Sequence, residues 1–245
     1  MIKFFRKIRQ NLLSENKFSK YLIYAIGEIV LVVIGIMIAL QINNWNQESE
    51  NKKLAIFYMN SLANDLKKDT LHINFITEIQ LEDNKTTEKL LKRIYKPSSN
   101  IDTIIKIARN EIDDTFRVKR DYANNTFNTI LSSGNINLLN KDLIDKLMDL
   151  NSIQEDQLKR FDSNLDTYKN VSTYYAQHFT YSNGPTGNIV DEILWNNVNE
   201  KVLVSSLSNS LTQRKFMFDN TIKGHLRVKE KSREILELID TLLKK

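Results

Sequence analysis

The sequence predicts an all-α protein, an N-terminal transmembrane helix followed by an elongated antiparallel helical bundle. Three observations predict it. An unbroken apolar run over 21–42 is long enough to cross a bilayer. Apolar residues then recur at helical spacing over most of the remaining chain, and no stretch alternates with the period of two that a half-buried strand requires. Only two Pro and six Gly stand among 245 residues to interrupt that pattern.

Residues 1–20 form a basic tail. They hold Lys3, Arg6, Lys7, Arg9, Lys17 and Lys20 against Glu15 alone, which accounts for the whole net charge of +5. The other 225 residues carry 29 charges of each sign, so no basic groove for nucleic acid is expected, although the pI is near 9.1. Ile2, Phe5, Ile8 and Leu12 share a helical face, as in a segment lying on anionic lipid. Membrane lipid is thus the first partner expected.

Residues 21–42, YLIYAIGEIVLVVIGIMIALQI, carry one charge, Glu28. Roughly 20 helical residues span a hydrocarbon core of about 30 Å. Tyr21, Tyr24 and Trp45 suit the two interfaces. The run exceeds a signal-peptide core and no small-x-small cleavage pattern follows, so an uncleaved anchor is expected. Bases cluster on the N-terminal flank, whereas the other flank offers Glu48 and Glu50 before Lys52. That asymmetry predicts a cytoplasmic N-terminus and an external domain over 43–245. Glu28 begins a face continued by Val32, Gly35 and Ala39, where small residues permit close helix approach. An acid in a span ordinarily faces a partner or water, so these four residues are the candidate for association with another membrane protein or a second copy.

The run Met1–Asn46, with ENKFSKYLIYAIGEI and the exit ALQINNWN, resembles an uncharacterised family of single-pass membrane proteins from Bacteroidota. TFNTILSSGNINLLNKDLIDKL, residues 126–147, resembles a segment of that family's external domain. The resemblance implies a domain of unknown function and supports the membrane reading; in a bacterium the expected anchor is in the inner membrane and the external side is the periplasm. It implies no activity, substrate or cofactor.

Beyond Trp45, Asn46–Tyr95 reads either as one long helix or as two in line that meet near Asp83–Thr87, with little break from the membrane helix. Pro97-Ser98-Ser99-Asn100 signals a turn and a cap for a short helix over 101–110, while 111–120 is ambiguous. Thr126–Ser133 reads as a helix stopped at Gly134. Asn140 caps a helix from Lys141 to about Tyr168, and an aromatic stretch follows. Ser182–Gly187 is a loop, and 199–243 a last long helix.

The absence of cysteine excludes a disulfide framework, a thiolate metal site and a cysteine nucleophile. His72, His178 and His225 are far apart and fit no metal-ligand spacing, so each is expected on the surface or in a helix seam. The acidic groups Asp113-Asp114, Glu155-Asp156 and Asp191-Glu192 read as charged helix faces, and no nucleophile or phosphate-binding motif is present. Tyr174, Tyr175, Phe179, Tyr181 and Trp195 are expected to fill one end of the bundle, or else to line a patch for a ligand or partner. The 126–139 segment is a second candidate surface. The sequence thus predicts a non-enzymatic inner-membrane protein, without cofactor, whose external domain binds another protein or senses a ligand. The alternatives are a structural subunit of a membrane complex and an envelope enzyme without a recognisable motif.

Overall fold

A computed structural model describes residues 18–112, 121–179 and 189–244. Among these are six α-helices, one 3-10 turn and no strand: α1 Phe18–Ile94, α2 Ile101–Asn110, α3 Asn125–Ser132, the 3-10 turn Asn135–Leu138, α4 Lys141–His178, α5 Ile189–Asn196 and α6 Glu200–Leu243. The chain divides into two compact units, Met1–Ile56 and Phe57–Lys245.

Helix α1 is continuous over 77 residues, so the expected continuity past Trp45 holds, and of the two readings of Asn46–Tyr95 the single long helix holds, without a break at Asp83–Thr87. Within the first unit its large apolar residues are exposed, from Leu22 at 50% to Ile42 at 61%. This is the one helix among the described residues long and apolar enough to cross a membrane, judged by length and composition.

The second unit is a bundle of long helices. Its interior positions on α1 include Leu62, Leu66, Asp69, Ile73, Ile76, Gln80, Thr87 and Leu90. Their alternating steps of four and three residues approximate the 3.5-residue period of coiled-coil packing. Between Gln80 and Thr87 the rhythm becomes 80, 84, 87, with half-buried Asn84 turned toward Asp219 of α6 at 2.8 Å. Consecutive four-residue steps recur in α4 at Gln157, Phe161 and Leu165, and in α6 at Met217, Thr221 and His225. Such a stutter moves the local period toward 3.67 and unwinds the supercoil without breaking the helix. The feature near Asp83–Thr87 is therefore a phase shift of the buried stripe.

Contacts between side chains fix the pairing of the helices. Thr77 meets His225 at 3.4 Å and Asn84 meets Asp219, so α6 runs antiparallel to α1. Gln157 meets the Thr221 carbonyl at 3.3 Å and Lys146 meets Glu234 at 4.0 Å, so α6 is antiparallel to α4 as well. The α4–α6 pair is the tightest, and Gly224 explains how. A Cβ there would lie 1.6 Å from Gln157 Oε1, so the bare glycine backbone leaves room for the Gln157 amide.

The ends of the helices follow local chemistry. The Asn100 side chain accepts from Thr103 N, Asn140 from Asp142 N and Leu143 N, and Asn199 from Val202 N, each satisfying donors at a helix start. Gly134 takes φ 73°, a left-handed conformation available to glycine at little cost, and turns the chain after α3. Helix α4 extends ten residues beyond Tyr168, because Ser172 and Tyr175 keep the buried spacing through the aromatic stretch. The short helix α5 was not expected. The loop over 182–187 and most of the ambiguous 111–120 segment lie outside the described residues.

Candidate functional site

The face begun by Glu28 lies in the first unit. Val32 is 55% exposed, Ala39 is exposed, and a Cβ on Gly35 would meet no atom within 4 Å. A second helix could therefore approach the backbone at this face without displacing anything at Gly35. Lys3, Arg6, Lys7, Arg9 and Lys17 lie outside the described residues, as does the side chain of Lys20.

The aromatic residues divide. Tyr175, Phe179 and Trp195 are buried in one cluster with Leu90, Ile107 and Leu203, which joins α1, α2, α4, α5 and α6. Ring centroids stand 5.4 Å apart for Tyr175–Phe179 and 5.9 Å for Phe179–Trp195. The Tyr175 hydroxyl donates to the Ala108 carbonyl at 3.3 Å, and the Arg109 guanidinium lies 5.7 Å from the Trp195 ring centre. Tyr174 is 49% exposed and packs against His178 with the rings tilted. Tyr181 lies outside the described residues. Three of these rings thus hold short helices onto the long ones, and Tyr174 alone of the four described presents much surface.

The other candidate segment, around 126–139, is docked on α1 by two carboxylates one turn apart. Asp69, 3% exposed, accepts from the Ala123 amide with both oxygens, at 3.1 and 3.0 Å. Asp65 accepts from the Thr126 hydroxyl at 2.6 Å and its amide at 3.3 Å. Asn124, at the N-cap of α3, makes no capping bond of its own. Helix α3 therefore takes its N-terminal acceptor from another helix, where a carboxylate also complements the positive end of the helix dipole. Asn135 adds a bond to the Tyr58 hydroxyl at 2.9 Å. Leu131, Ser132, Ser133 and Gly134 remain exposed at the turn. Burial first, and then the Asp69 charge, push the Tyr122 phenol well above its usual range.

Sequence reasoning missed a buried polar seam. Gln80, Gln154, Gln157, Arg214 and Thr221 are all inside the bundle, as is His225, for which a seam position was among the expectations. Polar residue types read as exposed when taken singly, and only the spacing of three and four residues could have disclosed them. Arg214 lies over the Phe218 ring at 5.5 Å. His225 occupies this seam, whereas His72 and His178 are exposed.

The charged surface is paired mainly along helices. A longer link joins Arg93 at the end of α1 to Glu111 beyond α2 through two hydrogen bonds, one of 2.9 Å between Nη2 and Oε1. The guanidinium holds the Glu111 carboxyl below its ordinary range. Burial pushes the Asp219 carboxyl up, but hydrogen bonds from Lys215 and Asn84 outweigh it and leave the group lowered. Among the described residues no three His, Asp or Glu side chains gather in a way that could hold a metal ion.

A family described as "Family of unknown function (DUF6090)" matches residues 28–170, from Glu28 in the apolar run to Asn170 in α4. No curated protein and no solved structure matches the chain.

Proposed function

Because the chain belongs to the family of unknown function DUF6090, whose match covers more than half of it, we propose a reading that joins its apolar helix to its polar bundle. The protein is a single-pass protein of the bacterial inner membrane, like the Bacteroidota proteins its N-terminus resembles. Residues 21–42 form the span, the N-terminus is cytoplasmic, and the helical domain lies in the periplasm. There it binds a protein partner and acts by binding, without catalysis. The observation that carries this reading is the apolar stretch from Leu22 to Ile42, none of it buried, which only lipid or another span can cover favourably. The six bases before it and the acidic flank after it support the orientation.

Alkaline phosphatase fused after Lys245 should be active, and an expressed but inactive fusion would overturn the orientation. Purification in mild detergent should bring down a stoichiometric protein, and a chain that elutes alone under all mild conditions would remove the partner. The open face at Gly35 favours a second reading, a subunit held in a membrane complex through Glu28, Val32, Gly35 and Ala39. In that case Glu28→Leu should lower crosslinking between spans in membranes, and an unchanged yield counts against it.

A further inference from the structure

The outer side of the α4–α6 pair carries a groove of about 540 Å³ that the proposed function does not use. Its charged lining is Arg160 and Asp156 from α4 with Lys223 and Arg227 from α6, three cations against one carboxylate. Chain beyond the basic tail is neutral, so this is a local excess. Asp156 engages Arg160 at 2.8 Å. Neither Lys223 nor Arg227 makes an ion pair among the described residues. Asp219, one turn before Lys223, is hydrogen-bonded by Lys215 and Asn84 and feels the Lys223 charge only at longer range.

The floor is built from within the bundle. Gln157, 8% exposed, donates one Nε2 hydrogen to the Thr221 carbonyl, and an amide nitrogen carries two. Gly224 gives this amide its place against α6. Phe161, 4% exposed, lies beneath, and Phe216, 55% exposed, stands as an apolar rim. The groove thus has Lys223 and Arg227 on the α6 side, the Arg160–Asp156 pair on the α4 side, an amide held at the bottom and an aromatic edge. That volume is within the range of small-molecule sites.

We propose that this groove binds a small organic anion carrying at least two carboxylates, with one toward Arg160 and another toward Lys223 and Arg227. Cations contributed by two helices suit an anion with two charged groups, the Arg160 end being shared with Asp156. The Gln157 amide contacts the middle of the ligand, and the Phe216 ring covers its carbon skeleton. This inference is independent of the orientation and of the protein partner proposed above.

The test is calorimetric titration of the full chain in detergent with citrate, with inorganic phosphate as the compact comparison, at matched ionic strength. Citrate should saturate one site and bind at least about tenfold more tightly than phosphate. Arg227→Gln and Lys223→Gln should each weaken citrate about tenfold, while Lys229→Gln, outside the groove, should leave it unchanged. Both replaced groove side chains are exposed, and unaltered circular dichroism melting would exclude a folding defect. Absence of saturation by citrate up to about 10 mM, equal binding of phosphate and citrate, or unaltered binding in the two groove variants would overturn the proposal.

Discussion

Gly224→Ala has an effect whose sign depends on a second residue. A methyl group at 224 would stand 1.6, 1.9 and 2.2 Å from Oε1, Cδ and Nε2 of Gln157, so that amide must leave its place. Its bond to the Thr221 carbonyl, 3.3 Å in the folded chain, is then lost at about 1 kcal/mol. Withdrawal of the buried Gln157 stem costs roughly another 1 kcal/mol. Against this, alanine is the better helix former by about 1 kcal/mol. Gly224→Ala should therefore destabilise the parent chain by about 1 kcal/mol. In a Gln157→Ala background nothing occupies the space, and the same change should stabilise by about 1 kcal/mol. The coupling between the positions is then about 2 kcal/mol, well above the error of a double-mutant cycle. Urea unfolding followed by far-ultraviolet circular dichroism measures all four proteins. An alanine at 224 that stabilises both backgrounds equally would refute the close approach at this level of α4 and α6.

Asp69→Ala removes both acceptors of the Ala123 amide and should cost about 1–3 kcal/mol, with faster hydrogen exchange over 121–128. Exchange there at the parent rate would show that the carboxylate does not hold the segment. Gly134→Ala should cost about 1 kcal/mol in thermal melting, and Gly134→Asn less, because the strain at φ 73° is conformational and no atom lies within 4 Å of the added Cβ. Equal melting of all three chains would remove that argument. The Arg93 hydrogen bonds lower the Glu111 carboxyl below its ordinary 4.5. The unfolded chain therefore takes up that proton first as pH falls. Stability from this pair is complete above about pH 4.5 and is lost on descent through the lower folded value. Arg93→Gln should flatten the acid limb of a stability profile, and an identical limb in both proteins would refute the link.

Much of this architecture was legible because local chemistry and packing agree. Asn100 and Asn140 each precede an apolar stripe and do cap α2 and α4, and Gly134 does take the left-handed turn. What misled was polar residues at interior positions. Gln80 and Asn84 obscured the stripe of α1, so that one helix and two in line both fitted the apolar pattern. Ser172 continued α4 where the aromatic stretch seemed to begin a new element. Pairing of the long helices was not legible, because it rests on contacts such as Thr77–His225, 148 residues apart. The candidate groove was invisible for a similar reason. Arg160 and Arg227 become neighbours of one cavity only once α4 and α6 pair, and singly each is an ordinary exposed cation.

The borrowed acceptor at the start of α3 implies an order of events in folding. Eight residues are too few for a stable helix in water, and this one lacks a side-chain cap of its own. Its acceptors come from Asp65, 61 residues before Thr126, and Asp69, 54 residues before Ala123. Closing loops of that length costs entropy that a short helix cannot offset until α1 is already in place. Helix α3 is thus a late product of folding and among the first elements to open, and its helical content reports whether the 65–69 turn of α1 is intact.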